Sequence, residues 1–422
     1  MRRFASAALR LFARIFWRRI EFVGLERVPA SGAVIFAVNH PNGLLDPLFL
    51  ICFAPRPVSF LAKAPLFRYP VIGWFVRAFD SIPVYRKQDH TKGTNAETFA
   101  KAREVLARGG TIAIFPEGTT HSDPSLRELK TGAARIALGA AQPRMTIIPT
   151  GIYYTAKQTF RSSALVVFGD AIDVAPQPVD ANGEPPAQPV EQLTRRIDDG
   201  LDAVTIQADS HNALDLIGRA ENIFTADAEQ SLGDEFMLRR RFIDGYRYLR
   251  ERDPQRLARL ESAITQFGAE LGKAKLEAHE LAPAMSARTL FRVLVLLPLA
   301  IVGLVLHYPT YRAVGMLAKI AAKQEGEMTA TMKFLAALLL FPITWILYAI
   351  LSWRLLGHAW LAVPLPLLGW IALRVFEDLD DLTGRARALL HRASGNRAYL
   401  RLVAQRKKLR REIIEIAEEM GL

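Results

Sequence analysis

His40 and Asp46 are the residues whose types and spacing are best suited to chemistry. The imidazole follows an apolar run, Ala33-Val34-Ile35-Phe36-Ala37-Val38, and so stands at the C-terminal lip of a strand. The carboxylate closes the stretch His40-Pro41-Asn42-Gly43-Leu44-Leu45-Asp46. Near neutral pH a histidine is largely uncharged and can take a proton, while a neighbouring carboxylate fixes its tautomer and stabilises the imidazolium. Neither Ser nor Cys stands beside the pair, which places the nucleophile on the substrate. An alcohol activated by His40 and attacking a thioester fits, because a thiolate leaves without a dedicated general acid. Asp46 is then the orienter, as the aspartate is in a serine hydrolase triad. The Asn42-Gly43 step supplies the turn that must return the carboxylate to the ring.

A second strand end, Thr111-Ile112-Ala113-Ile114-Phe115, leads into Pro116-Glu117-Gly118. Glu117 can accept a hydrogen bond from a polyol hydroxyl, and Gly118 permits close backbone approach. Arg86 and Lys130 offer cations for a phosphate, which favours a phosphorylated acceptor over water. His121, beside Thr120, reads as loop support, not as a second base. The chain has no clustered His/Cys ligand set, so neither a metal nor another cofactor is expected.

These positions need a scaffold that gathers strand ends. Strand-like runs at 33–38, 58–62, 111–115, 145–149 and 165–168 alternate with helical segments at 95–108 and 131–141. Such alternation predicts an α/β domain with a mostly parallel sheet, whose ligands collect at the C-terminal strand ends. The domain spans 22–178, after an N-terminal helix over 1–21. That helix lines up Phe4, Ala8, Leu11 and Ile15 on one stripe, with Arg3, Arg10 and Arg14 on another, as an interfacial helix does. A Pro-rich stretch at 175–189 reads as a linker or surface loop and opens a charged helical region, 179–286.

Membrane segments then occupy 287–375. Residues 334–353 carry no charge and 355–373 none apart from His358, and each is long enough for a hydrocarbon core of about 30 Å. Together they read as a helical hairpin; a third segment, 290–308, could span or lie as a re-entrant or interfacial segment, and an even number of crossings favours the latter. A basic tail, 376–422, follows; its ten Lys or Arg between 385 and 411, with no acid, place it in the cytoplasm. The expected protein is integral to a membrane, a bacterial inner membrane, with the catalytic domain on the cytoplasmic face.

Composition agrees with a bilayer as partner: half the residues are hydrophobic, yet the net charge is +12. Nucleic acid is excluded as a partner, since no recognition fold or aromatic-basic signature accompanies the charge. The lone Cys52 lies in an apolar run and permits no internal disulfide.

Four blocks in order, Asn39-His40 with Asp46, Ile82-Pro83-Val84-Tyr85-Arg86, Phe115-Pro116-Glu117-Gly118-Thr119-Thr120-His121 and Ile148-Pro149-Thr150-Gly151, resemble those of the glycerolipid acyltransferase family. The resemblance covers roughly 22–175. It implies a membrane-associated α/β domain that moves a fatty acyl chain from acyl-CoA or acyl carrier protein to glycerol 3-phosphate or 1-acylglycerol 3-phosphate. By position His40 would be the general base and Asp46 its partner, and Arg86, Glu117 and Gly118 would bind the acceptor. One feature departs from the common pattern: five residues, not four, separate His40 from Asp46. An added residue rotates a helical position by about 100°, so a bulged turn at Asn42-Gly43 must absorb it. The same spacing, the Asp46-Pro47 step and Leu129-Lys130-Thr131-Gly132 are similar to a subgroup that includes glycerol-3-phosphate and dihydroxyacetone-phosphate acyltransferases of the eukaryotic endoplasmic reticulum. Two other readings are a membrane lipid-binding or scaffold protein with an altered catalytic pair, and a thioesterase or lipid hydrolase.

Overall fold

The computed structural model describes residues 2–85, 94–140, 142, 144–181, 183–225, 231–281, 287–321 and 329–421. They form two units, one of residues 1–207 with 322–332, the other of 208–321 with 333–422.

The first unit is built on an eight-stranded sheet. Its strands are β1 (Arg19–Val23), β2 (Ala33–Val38), β3 (Val58–Lys63), β4 (Ile82–Val84), β5 (Thr111–Ile114), β6 (Met145–Tyr154), β7 (Ser163–Phe168) and β8 (Ile172–Val174). Their order is β1-β7-β6-β2-β5-β3-β4, with β8 beside β6. β6 runs antiparallel to β7 and β8; the remaining pairs are parallel. β2 is central and buried on both faces at every residue, which is why it reads as an uninterrupted apolar run. β1, β4 and β8 are short edge or flanking strands without such a signal. Ala37 lies opposite Ile114 in β5, and Val38 opposite Thr150 in β6. That register brings the ends of β2 and β5 to one edge of the sheet.

Helices α1 (Arg2–Phe16), α2 (Asp46–Phe53), α3 (Pro70–Ala78), α4 (Asn95–Ala107), α5 (Gly132–Leu138) and α6 (Ala187–Val204) complete this unit. α1 buries Leu9, Ala13 and Phe16, whereas Leu11 on the expected lipid stripe stays 65% exposed. Arg10 Nε donates to the Cys52 carbonyl at 2.7 Å. Arg161 holds the end of the helix, its Nη1 donating to the carbonyls of Ile15 at 3.0 Å and Trp17 at 3.1 Å. The expected domain boundary at 178 falls too early. α6 buries Leu193, Ile197, Leu201 and Val204, a helical stripe of the first unit.

The second unit contains α7 (His211–Thr225), α8 (Leu232–Arg252), α9 (Pro254–Ala274), α10 (Ala287–Ala321), most of α11 (Thr329–Leu356), α12 (Leu365–Ala393) and α13 (Arg397–Glu419). Residues 376–422 are not a tail. α12 continues to Ala393, and α13 buries Leu402, Leu409 and Ile416 against Ile223, Leu249, Ile264 and Phe267. Each such aliphatic side chain contributes about 1.5–3 kcal/mol on burial, enough to seat a helix despite its charge. Among the described residues three helices are long and apolar enough to cross a membrane, and one of them, 287–320, contains the segment at 290–308. α10 contacts α11 through Thr310–Thr344 and Leu306–Tyr348, and α12 through Arg292–Asp378. Leu368 of α12 also closes on Gly303. Both α11 and α12 therefore run antiparallel to α10. The expected hairpin at 334–373 is instead two helices of the same direction, joined by a short step back over 357–364.

Candidate active site

The register of β2 and β5 sets His40 and Glu117 side by side. Asn39 first extends the ladder with its side chain, taking the Ile152 N–H at 2.7 Å and donating Nδ2–H to the Ile152 carbonyl at 3.1 Å. The chain then leaves the sheet at His40 and turns through Asn42 and Gly43, whose φ of +43° is the left-handed conformation glycine adopts readily. A short 3-10 turn over Gly43–Leu45 follows before α2 opens on Asp46. This irregular turn absorbs the extra residue. His40 Nδ1 lies 2.8 Å from Asp46 Oδ2.

Asp46 is fully buried and holds three donors. Oδ2 accepts from His40 Nδ1–H and, at 2.8 Å, from the Asn42 N–H. Oδ1 accepts from the Tyr154 hydroxyl at 2.7 Å. With Nδ1 protonated toward a carboxylate, Nε2 carries the lone pair, the tautomer a general base needs. The ring stacks on Phe115, centroids 4.0 Å apart, and its side chain retains 17% exposure. The imidazole is thus held on one face and one edge, with part of its surface open.

Glu117 is 3% exposed and turned into the protein. Its Oε1 accepts the His40 N–H at 3.0 Å, and its Oε2 accepts the Arg127 N–H at 3.1 Å. Oε2 also pairs with His121 Nε2; His121 Nδ1 accepts from the Asp123 N–H, which leaves the proton on Nε2. The sequence expectation set Glu117 against a substrate hydroxyl. In the structure its two oxygens tie the base's backbone to the 121–127 loop, with His121 Nε2 and the Arg127 N–H on Oε2. Gly118 has φ +74°, and an added Cβ would lie 2.5 Å from Lys130 Nζ. Lys130, anchored by its N–H to the Pro116 carbonyl at 2.9 Å, is exposed and reaches across this glycine. Arg86 lies outside the described residues. His40, Asp46, Glu117, Gly118 and Lys130 form one neighbourhood.

Three contributions escaped the sequence reading: the Asn42 N–H, the Tyr154 hydroxyl, and Lys157. Lys157 Nζ donates to the Pro41 carbonyl at 3.2 Å and its own carbonyl accepts from Asn42 Nδ2 at 3.0 Å. Tyr154 and Lys157 are more than 100 positions away in sequence and no local pattern marks them.

A partly open imidazole backed by a buried carboxylate, beside an exposed ammonium, can take a proton from a hydroxyl and attract an anion. Comparison with known proteins adds to this geometry. The acyltransferase family model matches residues 19–153, and that of the glycerol-3-phosphate acyltransferase 2 C-terminal domain matches residues 222–421. An uncharacterized acyltransferase of Schizosaccharomyces pombe is 25% identical over 98% of this chain and 80% of its own length. Glycerol-3-phosphate O-acyltransferase 2 of Saccharomyces cerevisiae is 28% identical over 61% of this chain and 38% of its own length. The chloroplastic 1-acyl-sn-glycerol-3-phosphate acyltransferase LPAT1 of Arabidopsis thaliana is 27% identical over 32% of this chain and 37% of its own length. The chain spans under two fifths of the length of these last two enzymes.

Proposed function

We propose that this chain, whose residues 19–153 match the acyltransferase family model, transfers a fatty acyl group from a thioester donor, acyl-CoA or acyl carrier protein, to a hydroxyl of glycerol 3-phosphate. The observation that carries the reading is the His40–Asp46 pair at 2.8 Å, with Nε2 left to accept a proton. The acceptor hydroxyl gives its proton to Nε2 as its oxygen attacks the thioester carbonyl. The tetrahedral intermediate collapses with cleavage of the C–S bond, and the imidazolium returns its proton to the departing thiolate. Asp46 stabilises the imidazolium between these steps. Glu117 holds the His40 backbone, and Lys130 across Gly118 attracts the acceptor phosphate, a role that the sequence motif also assigns to Arg86.

Glycerol 3-phosphate is preferred to 1-acylglycerol 3-phosphate because of the match over residues 222–421, whereas LPAT1 is matched over only 32% of this chain. The site works at a membrane surface. α10, α11 and α12 are long and apolar enough to span, and α1 offers the exposed Leu11 stripe to the interface. α13 packs with α7, α8 and α9, so the segments before and after the apolar helices lie on one side, with α10 crossing one way and α11 and α12, which share a direction, together making the return crossing. The ten basic residues at 385–411 mark that side as cytoplasmic. The named relatives are from yeasts and a plant and lend no support to the bacterial inner membrane expected from the sequence.

The test is the full chain in phospholipid vesicles, given labelled acyl-CoA with glycerol 3-phosphate, with 1-acylglycerol 3-phosphate, or with neither. Saturable label transfer to glycerol 3-phosphate is expected. Preferential transfer to the lyso acceptor would change the substrate; acceptor-independent release of free fatty acid would make the protein a hydrolase. Binding without turnover would leave a lipid-binding scaffold.

A further inference from the structure

Asp46 is held from two sides, and only the His40 side belongs to its own loop. Tyr154, the last residue of β6, reaches it from 108 positions away, its hydroxyl 2.7 Å from Oδ1. The phenol ring is packed between Trp17, with centroids 6.4 Å apart and nearly parallel, and Phe49 at 5.8 Å. Phe49 stands one turn after Asp46 on α2 and is 1% exposed, as is Trp17. The hydroxyl therefore has little freedom to move from the carboxylate. Burial and the Asp46 charge hold the Tyr154 phenol well above its usual range, so it remains a donor throughout the working pH range.

This arrangement has a chemical consequence. A carboxylate oxygen that accepts a proton donor carries less negative charge toward its other partners. The donor on Oδ1 thus weakens the pull of Asp46 on the imidazolium, while fixing the carboxylate plane that aims at Nδ1. We propose that Tyr154 is a positioning residue of the site, the third member of a His40–Asp46–Tyr154 chain that sets the pH at which His40 becomes a base. The proposal deepens the acyl-transfer reading and rests on it for the role of His40. Among the described residues the charged or titratable groups around His40 are Asp46, Glu117 with its partner His121, Tyr154, Lys130 across Gly118, and Lys157 on the Pro41 carbonyl. Tyr154→Phe removes only the hydroxyl and leaves the packing of the ring and the other groups in place.

The experiment compares wild type, Tyr154→Phe, Asp46→Asn and the double variant as full-length protein in phospholipid vesicles. It follows kcat/KM for acyl-CoA and glycerol 3-phosphate against pH. In parallel, the rate of His40 modification by diethyl pyrocarbonate, located by mass spectrometry, reads the same titration without substrate. With Tyr154→Phe, the acid limb and the modification profile are expected to move up by about half a pH unit or more, the scale on which a hydrogen bond to a charged group acts. The acceptor KM should not change, and the high-pH plateau should stay within about threefold of wild type. In the Asp46→Asn background the same substitution should shift nothing. Superimposable wild-type and Tyr154→Phe profiles overturn the proposal; so does a pH-independent loss that persists in the Asp46→Asn background. A wild type inert toward both substrates, with the modification profile still displaced in Tyr154→Phe, sinks the acyl-transfer reading and leaves the coupling standing.

Discussion

Oε1 of Glu117 accepts the backbone N–H of His40 at 3.0 Å, so the carboxylate of one motif positions the base of the other. The contact joins two strand ends that are neighbours in the sheet and 77 residues apart in the chain. It changes what the glutamate is expected to do on substitution.

Glu117→Gln should cost stability as well as rate. The carboxylate accepts from the His40 N–H, the Arg127 N–H and His121 Nε2, and an amide must present N–H to at least one of these donors. An unmade buried bond costs about 1–3 kcal/mol, visible as a lowered Tm in detergent. kcat should fall while the acceptor KM holds. A raised KM at unchanged Tm would return Glu117 to the role of a substrate ligand.

His40→Ala should lower acyl transfer by about 10³-fold, within the range for a general base. Asp46→Asn should do nearly as much, because the amide can present its NH2 to Nδ1–H and favour the wrong tautomer. Activity of either variant within about tenfold of wild type, on folded protein, would remove the pair from the mechanism.

Lys130→Ala should raise the glycerol 3-phosphate KM by about tenfold, the low end for a charge-assisted contact at an exposed site. Gly118→Ala should mimic it, since a Cβ there would fall 2.5 Å from Lys130 Nζ and the φ of +74° disfavours a side chain. Initial-rate kinetics with varied acceptor check both. Should Lys130→Ala alter kcat alone, the ammonium is not an acceptor contact.

Cys52 should resist alkylation in the folded protein. Burial pushes its thiol up to about 12, against a smaller downward pull from the Arg10 charge. At pH 8 only about one molecule in 10⁴ carries the thiolate, the form that reacts. N-ethylmaleimide should label the residue only after denaturation; prompt stoichiometric labelling of folded protein would contradict its burial. Because the folded value lies above the ordinary 9.0, the contribution of this group to stability is complete below that pH and is lost as pH rises toward 12.

Much of the catalytic neighbourhood was legible because its signals are local. The apolar run of β2 announces a buried strand, Asn42-Gly43 announces a turn, and a base with an acid beyond that turn is readable as a pair. The absence of charge over 334–353 announces a membrane segment in the same way. The α6 stripe and the helix hidden in the basic C-terminal segment were harder, because charge and a Pro-rich preface masked their 3.6-residue periodicity.

The sequence by itself therefore determined which residue types stand at which strand ends, and that the chain has long apolar helices. Only the tertiary structure decided where their free valences point. Glu117 faces inward because His40, His121 and Arg127 supply donors there. Tyr154 reaches Asp46 because β6 lies beside β2 and its ring is wedged by Trp17 and Phe49. α12 runs with α11 and against α10 because Arg292 meets Asp378 and Leu368 closes on Gly303. Local patterns specify periodicity and turns, whereas a buried polar atom takes whatever partner packing brings within about 3 Å, and that partner can come from anywhere in the chain.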